Sequence, residues 1–319
     1  MHEINHRRVL TNNLELHIAE IGEGPLILFI HGFPESWYSW RHQLPAIAEE
    51  GYHCVAPDMR GYGRSDKPRE IEDYNQVEVT KDIIGLISAL GYETAIVVGH
   101  DWGAPTAWSC ALNYPLKVSA VVALSVPFVP RPDVSPLMTM KAIFKDIFFY
   151  QLYFQKPGIA EAELERDIEV SLRKFYHLAA GDSSRSGFIP RPKESDLLSH
   201  IDDPEKLGSW CSEIDLQYYV EQFSLSGFRG PLNYYRNHDL TWKLTKNAPL
   251  KIEQPSMFLA GEKDGVIILA AEAIKNMPNY LSDLRVNELI PEAGHWTQQE
   301  APEQVNEKLI GFLKSLKSR

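Results

Sequence analysis

The chain of 319 residues is 44% hydrophobic and 24% charged, a globular composition long enough for one large α/β domain or two smaller ones. A formal net charge of −11 argues against nucleic acid or an anionic membrane as partner, and no apolar run approaches the roughly 20 residues that span a bilayer. The amino terminus has no apolar segment followed by small residues, and the three cysteines (Cys54, Cys110 and Cys211) are widely spaced in apolar surroundings, so a cytoplasmic protein, monomer or homodimer, is expected.

Residues 4–11 and 14–20 alternate polar and apolar around Thr11-Asn12-Asn13, which predicts an antiparallel hairpin at a sheet edge. The basic trio His6-Arg7-Arg8 falls on that hairpin and reads as a solvated edge. Leu26 to Ile30 is wholly apolar and predicts a buried strand running into His31-Gly32-Phe33-Pro34. A helix is predicted over 39–50, stopped by Gly51. A short strand over 54–56 then leads into the glycine-rich loop 57–65. The stretch 76–90 carries Val79, Ile83, Leu86, Ile87 and Leu90 on one helical face. Residues 95–98 are apolar and β-branched, 104–112 read as a helix, and 118–124 as the next strand. Short apolar strands alternating with helices imply a doubly wound, mostly parallel sheet.

That pattern stops at Pro127. From 130 to 247 no buried strand is predicted; helical segments rich in aromatics (143–154, 161–176, 212–223 and 232–244) alternate with loops such as 181–192. This stretch reads as a helical lid inserted into the sheet domain, which gives a core of 1–129 and 248–319 around a lid of 130–247. The β-α pattern resumes with a strand over 256–260, a helix over 269–276, a strand over 284–289 and a final helix over 302–316.

Between strand and helix lies Gly99-His100-Asp101-Trp102-Gly103. A chain that turns from strand to helix within two residues needs glycine on both sides, because a Cβ would meet the crossing chain. Such a turn throws its central side chain out at the carboxyl end of the sheet, as a nucleophile elbow does with serine. Here the central residue is an aspartate, for which helix capping is the plain alternative. A nucleophile needs a base, and the base an orienting group. Asp264 stands just past one predicted strand and His295 just past the last, in the chain order nucleophile, acid, histidine of α/β-hydrolases. The turn at Phe33-Pro34 can aim the Phe33 N–H inward, where it and the Trp102 N–H would form an oxyanion hole. His2-Glu3-Ile4-Asn5-His6 matches a zinc-protease motif, but it runs into a β-like stretch and has no third ligand, so it reads as chance.

On these residues the chain resembles an epoxide hydrolase of the α/β-hydrolase superfamily, and in particular the hydrolase domain of soluble epoxide hydrolases. The likeness runs through residues 31–41, 58–64, 99–103, 150–158, 230–237 and 294–298, and does not include the amino-terminal phosphatase domain of the mammalian enzymes. It implies two lid tyrosines that hold the epoxide oxygen: Tyr150, opening Tyr-Gln-Leu-Tyr-Phe, and Tyr235, the second tyrosine of Leu-Asn-Tyr-Tyr-Arg-Asn. Tyr153 and Tyr234 are the neighbouring alternatives.

The implied chemistry is attack of the Asp101 carboxylate on an epoxide carbon while the two phenols hydrogen-bond the oxygen. Water activated by His295, itself oriented by Asp264, then hydrolyses the aspartyl ester to release a vicinal diol. Glu35 and His100 are candidates for placing that water, with a purely supporting role as the alternative. The partners are an epoxide and water, and no metal, nucleotide or organic cofactor is implied. A haloalkane dehalogenase would share Asp101 and Trp102 but commonly has asparagine after His-Gly, where this chain has Phe33. A non-catalytic receptor would not need the complete triad, and a serine esterase lacks its serine.

Overall fold

The computed structural model describes residues 3–183 and 190–317. Its centre is one eight-stranded sheet: β1 (Asn5–Thr11), β2 (Leu14–Ile21), β3 (Leu26–Ile30), β4 (His53–Pro57), β5 (Ala95–His100), β6 (Val118–Leu124), β7 (Ile252–Gly261) and β8 (Leu281–Ile290). The spatial order is β1-β2-β4-β3-β5-β6-β7-β8. β1 and β2 pair antiparallel across Asn12 and Asn13, which sit at φ 44° and 62°, a conformation asparagine tolerates better than most residues. β2 also meets β4 antiparallel, and every pairing from β4 to β8 is parallel.

The strands β3 and β5 are buried at every position, as their uninterrupted apolar sequences require. Alternate side chains serve two cores. Leu28, Ile30 and Val97 face one cluster, while Ile27, Phe29, Ile96 and Val98 face the other. Because β3 lies between β4 and β5, the chain leaves it in opposite directions. That reversal opens a crevice at the carboxyl ends of β3 and β5, where open α/β sheets bind ligands.

The α/β-hydrolase architecture expected from sequence is therefore present, with helices between β6 and β7 covering the crevice. Several predicted helices are, however, divided. The span 143–154 is not one helix: Pro136–Ile143 begins earlier, capped by Ser135 with Pro136 at its first position, and only the turn Tyr150–Tyr153 follows. The span 161–176 breaks where the Asp167 side chain caps Ile168–Ala179 by accepting from Val170 N–H at 3.0 Å. Residues 232–244 divide at Asn237 into Arg229–Arg236 and His238–Leu244. In the core, 39–50 becomes a 3₁₀ turn, Trp37–Trp40, and the helix Gln43–Ala48; Pro45 has no N–H to bond back to Arg41 and is accommodated in the first turn of a helix that starts afresh at Gln43. Aromatic and apolar content marks these stretches as helical, but the caps at Ser135 and Asp167 set where two of the pieces start.

The His-Glu-x-x-His match is not a helical site, since His6 lies on extended β1 and His2 is outside the described residues. The predicted loop 181–192 likewise falls partly outside them. Among the described residues, no helix is long and apolar enough to cross a membrane.

Candidate active site

Asp101 projects from the sharp turn between β5 and the helix Gly103–Asn113. Steric packing explains both glycines. A Cβ on Gly99 would sit 2.0 Å from the Gly103 carbonyl oxygen, and one on Gly103 would sit 1.9 Å from that of Ile30. Asp101 itself adopts φ 49°, a left-handed conformation that costs a non-glycine residue of order 1 kcal/mol or more and that clusters at functional sites. Gly32 approaches so closely that a Cβ there would lie 2.4 Å from Asp101 Oδ1. This lets the neighbouring Phe33 N–H donate to Asp101 Oδ1 at 2.7 Å. Trp102 is the N-cap residue of the following helix, so its N–H belongs to the end of the helix where amides have no intrahelical partner.

The base faces the other carboxylate oxygen. His295 Nε2 lies 3.5 Å from Asp101 Oδ2, and Nδ1 lies 3.0 Å from Asp264 Oδ2. Asp264 divides its oxygens, with Oδ1 accepting from Val266 N–H at 2.8 Å to cap a short helix. Burial would raise the Asp264 carboxyl, but His295 and that N–H more than offset it and hold it below the usual range. For His295, burial disfavours the charge, while Asp264 and Asp101 outweigh burial and raise its pKa well above the ordinary value.

Glu35 and His100 lie beneath the triad, fully buried. Glu35 Oε2 accepts from Gly32 N–H at 2.8 Å and meets His100 Nδ1 at 2.7 Å, while Oε1 accepts from Gln298 Nε2 at 2.9 Å. Burial opposes ionisation of Glu35, but His100, His31 and Gly32 N–H hold it down at about 2. His100 Nε2 reaches the His295 carbonyl oxygen at 2.7 Å. Both residues thus bond to the turns that carry Phe33 and His295. Sequence reasoning missed Ser125, which donates to that same carbonyl at 3.1 Å from φ 68° at the end of β6. Its only signal was a small polar residue between a strand and Pro127.

The two pairs of lid tyrosines separate by what their hydroxyls do. Tyr153 donates to Glu163 at 2.6 Å and Tyr234 to the Arg60 carbonyl at 3.0 Å. Tyr150 accepts from Gln151 Nε2 at 2.9 Å, so its own proton stays available, and burial raises its pKa and keeps it a phenol. Burial raises Tyr235 likewise. Tyr150 and Tyr235 pack edge to face with centroids 5.9 Å apart; Tyr235 also packs on Trp102 at 5.0 Å and Phe33 at 5.4 Å. Asp101, Trp102, Tyr150 and Tyr235 all line a cavity of about 410 Å³ that continues past Trp108 and Phe128, a size suited to a small organic molecule.

A strained carboxylate, a histidine-aspartate pair and a backbone donor thus meet at the crevice of this sheet. The alpha/beta hydrolase fold family matches residues 25–302, and the chain belongs to that family. Its relatives place it among the epoxide hydrolases rather than the haloalkane dehalogenases. It is 42% identical to "Epoxide hydrolase A" of Mycobacterium tuberculosis, over 98% of each chain. It is 41% identical to "Bifunctional epoxide hydrolase 2" of Mus musculus, over 95% of this chain and 54% of that one. Among solved structures, an epoxide hydrolase from an endophytic Streptomyces superposes with TM-score 0.96 at 41% identity, covering 98% of this chain and 96% of that one.

Proposed function

We propose that the protein hydrolyses epoxides through an ester on Asp101. The observation that carries this reading is the pair of contacts on one carboxylate, Phe33 N–H at 2.7 Å on Oδ1 and His295 Nε2 at 3.5 Å from Oδ2. Oδ2 attacks an epoxide carbon from behind. The C–O bond of the ring breaks, and the oxygen takes a proton from Tyr150 or Tyr235, since a buried phenol is a suitably weak acid for a developing alkoxide. Alkylation neutralises Asp101. One of the two carboxylates that raise the His295 pKa then loses its charge, so that pKa falls, and the neutral imidazole takes a proton from water. Hydroxide adds to the ester carbonyl, whose oxygen carries negative charge against the amides of Phe33 and Trp102. Collapse returns the Asp101 carboxylate and releases a vicinal diol: the hydroxyl proton of the tetrahedral intermediate passes to the leaving oxygen, and the His295 imidazolium returns its proton to the phenolate.

Glu35 and His100 support this cycle by bracing the two turns, because both Glu35 oxygens are already engaged. The free, buried cysteines Cys54, Cys110 and Cys211 favour a reducing compartment, in keeping with a cytoplasmic enzyme that is a monomer or homodimer. Diol formation from styrene oxide, compared with halide release from a chloroalkane, tests the reading. Diol without halide supports it, and halide without diol contradicts it.

A further inference from the structure

The loop that carries His295 is gripped by a carboxylate that no step of the reaction uses. Glu300 ends the one-turn helix Thr297–Glu300. Its Oε1 accepts from Trp296 N–H at 2.9 Å and its Oε2 from Gly294 N–H at 3.0 Å, the two peptides flanking the base. Oε2 also accepts from Gly181 N–H at 2.8 Å, which follows the lid helix Ile168–Ala179. The same lid segment meets the loop twice more: His295 N–H donates to the Ala179 carbonyl at 2.8 Å, and Trp296 Nε1 to the Tyr176 carbonyl at 2.9 Å. The approach is close, for a Cβ on Gly294 would stand 2.3 Å from Gly181 N.

We infer that Glu300 is a positioning residue for the second half of the reaction, tying the end of the lid helix to the loop so that the His295 ring is held where it reaches the ester. This rests on the covalent route above. The separation between half-reactions follows from geometry. Alkylation uses Asp101 and the tyrosines, none of which Glu300 touches, whereas hydrolysis needs the His295 ring placed against a water and a carbonyl. An ångström of misplacement costs such a step on the order of 10²-fold. Burial keeps the Glu300 carboxyl above its usual range while its three N–H donors pull the other way, so replacing one oxygen by an amide sets a donor against a backbone donor.

The experiment is single-turnover kinetics on the full chain with styrene oxide, following ester formation and ester decay separately by quenching and intact mass. In Glu300→Gln, decay should slow roughly tenfold to a hundredfold while formation changes less than about threefold, so that ester accumulates. Glu300→Asp keeps the charge at shorter reach and should show a smaller effect of the same kind; it carries the test if the glutamine variant fails to fold. Equal slowing of both steps, or an unchanged ratio in either variant, would overturn the inference. Absence of any ester in the parent enzyme would instead overturn the covalent route.

Discussion

Asp101 and Tyr150 face the same cavity from supports of different kinds. Asp101 leaves a strand that is buried at every residue, through a turn in which backbone atoms leave no room for a Cβ at either glycine. Tyr150 opens a single helical turn that has no fully buried residue. Its ring is held by neighbours, Phe154 at 5.6 Å and Tyr235 at 5.9 Å, and its hydroxyl by Gln151. A close-packed sheet edge fixes position through sterics and tolerates almost no change. An aromatic cluster on short helices can be remodelled without unfolding the sheet. The proposed nucleophile is thus built where the fold is stiff, and Tyr150, one of the two proposed acids, on a short turn where it is softer.

Breaking the stiff half should cost most. His295→Gln should lower turnover by about 10³- to 10⁴-fold yet leave alkylation intact, so intact mass should show a stoichiometric adduct; loss of adduct along with turnover would place His295 in the first step. Across the cavity, Tyr150→Phe and Tyr235→Phe should each slow ring opening by about 10²-fold, measured as adduct formation, with ester decay unchanged. Acid should act as a milder form of the histidine variant. His295 must be neutral to activate water, so ester decay should fall about tenfold per pH unit below the histidine pKa of the alkylated enzyme. That value should lie below that of the resting enzyme, because alkylation removes the Asp101 charge that helps raise it. A single shared pKa for both forms would contradict this. Smallest should be the change in Tyr153→Phe and Tyr234→Phe, whose hydroxyls bond Glu163 and the Arg60 carbonyl. Turnover should stay within about threefold while denaturant melts show roughly 1 kcal/mol lost. A large kinetic loss in either would mean that the neighbouring tyrosine had been assigned wrongly.

The two halves also differ in how far the sequence makes them legible. Gly99-x-Asp101-x-Gly103, the uninterrupted apolar strands and the order Asp101, Asp264, His295 are local patterns with direct steric or topological meaning, and the core elements came out nearly in place. In the lid, a continuous apolar-aromatic texture hides the breaks at Asp167, which caps the next helix, and at Asn237, whose side chain instead bonds the Ile71 carbonyl across the fold. The tyrosines were legible only by likeness to epoxide hydrolases; nothing in their spacing tells Tyr150 from Tyr153 or Tyr235 from Tyr234, and only the hydroxyl partners separate them. Ser125 and Glu300 carried no usable signal. Ser125 bonds a carbonyl 170 residues away and Glu300 an N–H 119 residues away, besides two near it, and such distant bonds leave no pattern in sequence.

The most direct test of the account is one turnover in ¹⁸O-water with enzyme in excess over styrene oxide, followed by peptide mass analysis. Water attacks the ester carbonyl, so the label should enter the carboxylate of the peptide containing Asp101 and be missing from the first diol released. Label found only in the diol, with that peptide unlabelled, would mean direct attack of water on the epoxide and would contradict the aspartyl ester.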